Sequence, residues 1–187
     1  MTNVILFRAQ PFHNGHLHMI KKAYEDSVRN NNRLFIFIGS ADKSGTTRNP
    51  LPIEFRLDLI KNSLKDEFKD NYVFNPNTNI IPIDDLSDEA NNTYTWGIYL
   101  YNKIKKYTKD EYITFYYSDK PEIILSWFDA ELREYISFRF LNRVKGLSAT
   151  EIRSAIKLDL DEFVKLETPK YVYENKERIK EYLLAAK

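Results

Sequence analysis

Two of the three histidines in the chain, His13 and His16, lie in one short polar segment, residues 8–17, and the third, His18, follows directly. Gly15 has no side chain, so a ligand can lie against the backbone there while both imidazoles reach it. Imidazoles are suited to proton transfer, metal ligation and hydrogen bonding to phosphate. A chain that places all its histidines within six positions is predicted to use them in an active site.

A second polar junction, residues 146–153, has the pattern of a helix start. Ser148, followed three residues later by Glu151, predicts a capping box and a helix that begins at Ala149. The free backbone N–H groups at such a helix start bind phosphate. Arg153, about one turn further on, can add planar bidentate donors to phosphate oxygens. Together the two junctions predict a polyphosphate substrate.

The elements that position these junctions alternate between strand and helix. Continuous apolar runs predict buried parallel strands, at residues 3–7, 33–38, 79–83, 112–117 and 135–140. Apolar residues three and four positions apart, with proline and cap signals, predict helices around residues 17–28, from Pro50 and Pro52 to 64, at 93–107 and 121–128, from 149, and from the Thr168-Pro169 pair to 186. We therefore predict an α/β fold, a Rossmann-like doubly wound parallel sheet with a C-terminal helical tail. Residues 1–187 would form a single domain, with a core of 1–156 and a tail of 157–187.

Composition excludes several classes of function. Lys and Arg number 28 and Asp and Glu 27, so a formal charge of +1 gives no global preference for nucleic acid or an anionic membrane. The absence of cysteine removes disulfides, thiolate catalysis and cysteine-ligated zinc. No apolar run approaches the about 20 residues of a membrane span, and no targeting segment is recognised. We expect a soluble, cytoplasmic protein.

Both junctions resemble motifs of the nucleotidylyltransferase superfamily. His13-Asn14-Gly15-His16 is similar to the HxGH motif, and residues 147–153, Leu-Ser-Ala-Thr-Glu-Ile-Arg, are similar to the motif ISSTxIR. Within the superfamily the chain looks like the archaeal-type nicotinamide mononucleotide (NMN) adenylyltransferases, in the segments 8–13, 38–41, 48–50, 81–85, 96 and 117–118.

The resemblance implies transfer of AMP from ATP to NMN, giving NAD and pyrophosphate by direct in-line attack. The attacking phosphate is ionised near neutral pH, with a second pKa of about 6, so no general base is required. Mg²⁺ would bind through the ATP phosphates, with no metal ligand from the protein. The resemblance implies catalytic roles for His13, His16 and Arg153, ATP binding by Phe7, Arg8, Gly15, Ser118, Ser148 and Thr150, and NMN binding by Ser40, Arg48, Asp85 and Trp96.

Several alternatives stay open. The acceptor could be pantetheine phosphate, FMN or a polyol phosphate, or the domain could sense nucleotides without turnover. The histidines could cap a helix or ligate a metal, although their spacing does not share one helical face. Trp96 could belong to the core, Asp85 to a turn and Arg153 to a surface ion pair. Because the family often forms multimers, a homo-oligomer also stays open.

Overall fold

Five parallel strands form the centre of the protein. In a computed structural model, residues 1–68, 71–86, 94–143 and 147–187 are described. The strands are β1 (Thr2–Phe7), β2 (Arg33–Ile38), β3 (Ile80–Pro82), β4 (Ile113–Tyr117) and β5 (Ile136–Phe140), and their order in the sheet is β3-β2-β1-β4-β5. The order reverses between β1 and β4, and ligands of such sheets bind outside the carboxyl ends of the strands at this reversal. The predicted α/β, Rossmann-like fold class is confirmed.

Helices connect the strands. They are α1 (Asn14–Asn30), α2 (Ile53–Leu64), α3 (Tyr94–Lys105), α4 (Pro121–Leu125), α5 (Ala130–Arg133), α6 (Ala149–Lys157), α7 (Asp161–Glu167), α8 (Lys170–Glu174) and α9 (Lys176–Ala185). The strands, α1 to α4 and α6 lie close to their predicted positions, although α4 ends three residues early, and α5 was not predicted. Position 93, the predicted start of α3, lies outside the described residues.

The prediction of one final helix from Thr168 is wrong. Thr168 does not cap a helix with its side chain; its hydroxyl donates to the carbonyl of Val164 at 2.6 Å, within the preceding helix α7. The chain then forms α8 and α9, which meet at Asn175. The Thr168-Pro169 pair correctly marked a boundary between two helices. Neither helix α7 nor the break at Asn175 has a comparable signal in the sequence.

Alternate side chains of the strands enter two apolar clusters, one on each face of the sheet. Ile5 and Ile36 belong to the first cluster, and Val4 and Phe37 to the second. The C-terminal helices add four side chains to the first cluster, Val164, Val172, Ile179 and Leu183. These helices therefore pack on the sheet domain; the division of the chain at residue 156 stays a prediction. Within the described residues, no helix is long and apolar enough to span a membrane.

Gly97 of α3 lies directly against the backbone that follows α4. A Cβ on Gly97 would lie 1.7 Å from the carbonyl oxygen of Trp127 and 3.1 Å from Cδ1 of Phe128, a fully buried ring. We expect Gly97→Ala to lower the free energy of unfolding by about 1–3 kcal/mol, because the backbone must shift to admit the methyl group. Urea denaturation measures this free energy. The control is Asn102→Ala at an exposed position of the same helix, and its free energy of unfolding should lie within about 0.5 kcal/mol of the wild-type value. Equal stabilities of the two variants would contradict the close contact.

Candidate active site

The two motif histidines form the amino-terminal cap of α1, at the carboxyl end of β1. The Nδ1 atom of His13 accepts the backbone N–H of Gly15 at 3.0 Å. The backbone N–H of His13 in turn donates to Nδ1 of His16 at 3.2 Å. Each Nδ1 is thus an acceptor, so each neutral ring carries its proton on Nε2. Capping and ligand binding are compatible, because capping uses Nδ1 and leaves the Nε2–H donors for a ligand.

The histidine rings are stacked and largely withdrawn from water. The centroids of His13 and His16 are 3.8 Å apart, and the ring of Phe7 lies 4.5 Å from His16 on its other side. Burial lowers the pKa of His13 to about 4, and the positive charge of Arg143 adds to this effect. Burial, His13 and Arg143 likewise hold the pKa of His16 well below its ordinary value. At neutral pH both rings are therefore uncharged donors.

Gly15 is required by the cap itself. A Cβ at this position would lie 2.8 Å from Cε1 and 2.9 Å from Nδ1 of His13. The glycine therefore allows the ring of His13 to fold over the first turn of α1. The predicted approach of a ligand to the backbone at Gly15 stays a prediction.

The lowered pKa of His13 predicts a dependence of stability on pH. Because the folded pKa of about 4 lies below the ordinary 6.5, the unfolded chain binds more protons between these pH values. Stability is then retained above about pH 6.5, and about 3 kcal/mol is lost as the pH falls towards 4. We expect His13→Asn, which keeps a good cap residue but cannot titrate, to lose less stability in this window. Urea denaturation at pH 7.5 and 4.5 measures the difference, with His18→Asn as the control; identical losses in wild type and His13→Asn would contradict it.

Arg8 lies close enough to Arg48 and Arg153 for their charges to repel. Arg8 is half-buried and donates from Nη1 to Oδ1 of Asn49 at 3.4 Å. Burial lowers the pKa of Arg8, and the nearby charges of Arg48 and Arg153 lower it further. Among the described residues, none of the three arginines has a carboxylate oxygen within 4 Å. The charges of Asp85 and Asp119 offset part of this repulsion at Arg8 from a longer range. Cations that repel one another and have no carboxylate in direct contact are suited to binding an anion.

Arg153 connects the two predicted junctions. Its Nη1 donates to the carbonyl of Gln10 at 2.7 Å, and its Nη2 donates to Oγ1 of Thr150 at 3.3 Å. Ser148 caps α6 as predicted and accepts the N–H of Glu151 at 3.2 Å. The reciprocal half of a capping box, a bond from the cap residue's N–H to the third helical side chain, occurs instead in α1, between the two histidines.

A small cavity of about 220 Å³ opens beside Thr150 and Arg153. Its walls come from α6, from the loop that precedes α2, and from α9. The polar side chains that line it are three hydroxyls and two cations, Thr47, Thr150, Ser154, Arg153 and Lys157. Hydroxyls and cations are the groups that bind phosphate, so this cavity suits one end of a polyphosphate. Thr47 and Lys157 were not identified from the sequence.

Two of the residues predicted for the second substrate, Ser40 and Asp85, follow the carboxyl ends of β2 and β3. The hydroxyl of Ser40 donates to Oδ1 of Asp85 at 3.0 Å, and the N–H of Asp85 donates to Asp42 at 2.9 Å. Trp96 is 8% exposed and lies in the second apolar cluster, with its indole edge-on to Trp127 at 6.1 Å. These contacts favour a packing role for Trp96. The structure thus brings Ser40 and Asp85 together and places Trp96 in the core.

The remaining predicted residues lie at strand ends or in loops. Arg48 is exposed, in the loop that precedes α2. Ser118 follows β4 directly and is half-buried. The next residue, Asp119, forms an ion pair with Arg143, which follows β5. Ser118 therefore follows the strand on one side of β1, and Ser40 follows the strand on the other side.

Two buried side chains that were not predicted from the sequence bond the backbone of the loops around the site. Arg56 of α2 is fully buried and donates to the carbonyl oxygens of Arg8 at 3.0 Å, Gly39 at 2.9 Å and Ser40 at 2.8 Å. Gln10 is also buried, and its side-chain amide bonds both backbone groups of Leu51, at 2.9 and 3.1 Å. A signal for Arg56 existed, since a cation stood among the apolar positions of a predicted helix.

Among the described residues, the histidines have no partners that would complete a metal site. Within residues 1–68, 71–86, 94–143 and 147–187, no group of three or more histidine, aspartate and glutamate side chains could hold a metal ion. His18 is exposed on α1, apart from the stacked rings of His13 and His16. The metal-ligation alternative for the three histidines therefore has no support among the described residues.

Comparison with known proteins finds a matching family model and related sequences. A family model described as cytidylyltransferase-like matches residues 8–155. A nicotinamide-nucleotide adenylyltransferase of Saccharolobus solfataricus is 44% identical over 59 residues, which are 32% of each chain. One of Picrophilus torridus is 28% identical over 154 residues, 82% of this chain and 78% of the relative. For the first four curated relatives the match spans between 32% and 46% of the relative's length.

Solved structures share the fold. A bifunctional NMN adenylyltransferase/ADP ribose pyrophosphatase from Francisella tularensis matches with a TM-score of 0.73 and 22% identity, over 96% of this chain and 49% of that chain. The same protein has also been solved with AMP and a Mn ion, where the match has a TM-score of 0.69 and 21% identity, over 99% of this chain and 52% of that chain. At these identities the likeness concerns the fold.

Proposed function

The chain belongs to the cytidylyltransferase-like family, and we propose that it transfers AMP from ATP to NMN, giving NAD and pyrophosphate. One observation carries this proposal: the cap of His13 and His16 leaves two uncharged Nε2–H donors, and Arg153, bonded to the carbonyl of Gln10 in the same junction, has no carboxylate oxygen within 4 Å among the described residues. Such a set of donors is suited to an extended polyphosphate. The names of the curated relatives support ATP and NMN as the substrates.

In the proposed reaction a phosphate oxygen of NMN attacks the α-phosphorus of ATP. The bond from that phosphorus to the oxygen that bridges to the β-phosphate breaks, and pyrophosphate leaves. The attacking phosphate is already ionised, since its second pKa is about 6, so no side chain has to remove a proton. The protein holds the two anions in line and stabilises the charge that develops on the α-phosphate and the leaving group.

Each part of the site has a place in this reaction. The Nε2–H groups of His13 and His16 donate to the phosphate oxygens, while Arg153 and the start of α6 hold the β- and γ-phosphates. The cavity beside Thr150 takes the end of the triphosphate. Mg²⁺ enters with ATP, bound through its phosphates; the Francisella structure with AMP and a Mn ion is consistent with a divalent metal. Four further residues complete the ATP side, Phe7, Arg8, Ser118 and Ser148.

NMN is proposed to bind at the carboxyl ends of β2 and β3. Ser40 and Asp85, joined by a 3.0 Å hydrogen bond, offer hydroxyl and carboxylate groups to the ribose or the carboxamide. Arg48, exposed in the neighbouring loop, is suited to the phosphate of NMN. Location in the cytoplasm and assembly into an oligomer stay predictions.

Incubation with ATP, Mg²⁺ and NMN tests the proposal, with NAD and pyrophosphate both measured over time. We expect equal amounts of the two products. Pyrophosphate release with pantetheine phosphate, FMN or a polyol phosphate, but not with NMN, would reject the acceptor and keep the chemistry. Binding of ATP without any pyrophosphate release would identify a nucleotide sensor instead.

A further inference from the structure

Arg56 is a charged side chain in the interior, beneath the turns that follow β1 and β2. Its side chain is fully buried, and its three hydrogen bonds all go to backbone carbonyls, those of Arg8, Gly39 and Ser40. Its Nε atom has no hydrogen-bond partner, and no carboxylate of the described residues lies within 4 Å of it. Burial, followed by repulsion from Arg8, lowers its pKa to about 10, so the group is still charged at neutral pH.

The carbonyls that Arg56 holds flank two residues in an unusual backbone conformation. Ala9 has a φ of 56° and Ser40 a φ of 51°, in the left-handed region that residues with a Cβ seldom adopt. The carbonyl of Arg8 belongs to the peptide unit before Ala9, and the carbonyl of Gly39 to the unit before Ser40. Arg56 therefore fixes the orientation of both peptide units.

The same two peptide units present free donors on their other side. In a trans peptide the N–H points away from the C=O, so the N–H groups of Ala9 and Ser40 point away from Arg56. Within the described residues neither N–H makes a hydrogen bond, although both residues are buried. A buried N–H without a partner is rare and calls for a ligand or a bound water.

We propose that Arg56 is a positioning residue that turns the N–H groups of Ala9 and Ser40 towards the phosphorylated substrates and strengthens them as donors. This inference rests on the proposed function. A carbonyl that accepts a hydrogen bond from a cation becomes more polarised, and the N–H of the same peptide unit becomes a stronger donor. Asp85, Glu54 and Asp42 act on the charge of Arg56 only from a distance, since no carboxylate of the described residues lies within 4 Å of it. The charge therefore adds to the field that attracts phosphate.

The planar guanidinium suits this role better than an ammonium group. Arg56 makes its three bonds with two nitrogens held in a fixed fork, whereas the single nitrogen of lysine is a point charge. Arg56→Lys therefore keeps the charge and removes the geometry. Arg178→Lys is a matched control: Arg178 is exposed, and its guanidinium lies 4.3 Å above the ring of Phe55, the residue before Arg56.

The test combines steady-state kinetics with amide NMR. We expect Arg56→Lys to lower kcat for NAD formation by about a hundredfold with a smaller change in KM, because the donors move from their productive positions. Arg178→Lys should behave as wild type. In the wild-type protein, MgATP and NMN should shift the amide proton resonances of Ala9 and Ser40, and these shifts should shrink in Arg56→Lys.

Several results would overturn the role of Arg56. One is a lower melting temperature in Arg56→Lys with unchanged kcat, KM and ligand-induced amide shifts, which would indicate a structural role only. Another, which needs no variant, is the absence of amide shifts at Ala9 and Ser40 when saturating MgATP and NMN bind to the wild type. If the wild type makes no NAD, the proposed function fails, and the amide shifts on MgATP binding still decide whether Arg56 positions these donors.

Discussion

His16→Ala is expected to lower kcat for NAD formation by about a hundredfold to a thousandfold, the usual effect of removing one donor to a charged transition state. The dissociation constant for ATP should change much less, because the arginines and the start of α6 still hold the triphosphate. The reason is the neutral Nε2–H of His16, which the proposed mechanism directs at charge that develops during the reaction. Steady-state kinetics and equilibrium binding of a non-hydrolysable ATP analogue measure the two quantities.

Two variants separate catalysis from capping. His16→Gln keeps a side-chain acceptor for the N–H of His13, since glutamine at the third helical position completes a capping box. We expect it to recover stability relative to His16→Ala but not turnover. His18→Ala removes an exposed imidazole two residues away and should leave both unchanged. Equal losses of kcat and ATP affinity in His16→Ala, or recovery of turnover in His16→Gln, would reduce His16 to a binding or capping residue.

Arg153→Lys is expected to raise KM for ATP and to lower kcat/KM by about tenfold to a hundredfold. Lysine keeps the charge but loses the fork that bonds both the carbonyl of Gln10 and the hydroxyl of Thr150. The magnitude follows from about 1.5–3 kcal/mol for one charge-assisted hydrogen bond. Initial rates at varied ATP and at saturating NMN measure the effect.

A control variant and a second measurement accompany Arg153→Lys. Arg178→Lys makes the same chemical change on the surface of α9 and should leave KM for ATP unaltered. Protection of the protein against thermal unfolding by pyrophosphate should also weaken in Arg153→Lys, because the cavity beside Thr150 is proposed to hold that part of the substrate. An unchanged KM in Arg153→Lys would contradict a role for this arginine in holding the triphosphate.

The strand positions were predictable because a parallel strand buried on both faces is a continuous apolar run. β2 was predicted to the residue, and the start of α6 was predicted from Ser148 and Glu151. These signals are local, since they depend on residues within one element. The proximity of the two junctions was also predictable, because the carboxyl ends of parallel strands share one edge of the sheet.

The parts that were missed depend on contacts between distant residues. The contact of Gly15 with the His13 ring depends on the orientation of that ring. Trp96, for which the sequence left both a core and a ligand role open, is buried against Trp127, a residue distant from it in the chain. Arg56 bonds backbone groups that lie 16 to 48 positions away in the chain. The periodicity of a helix indicates which of its faces is buried, but not which carbonyls that face will meet.

The cap of α1 also determines how protons behave in the site. An imidazole relays a proton by receiving it on one nitrogen and releasing it from the other. In His13 and His16 the Nδ1 lone pairs are both engaged by backbone N–H groups, so neither ring can act as a relay. The two rings act as fixed hydrogen-bond donors, and neither is protonated or deprotonated during turnover. Near neutral pH, the pH dependence of the rate should therefore follow the ionisation of the substrates rather than that of the histidines.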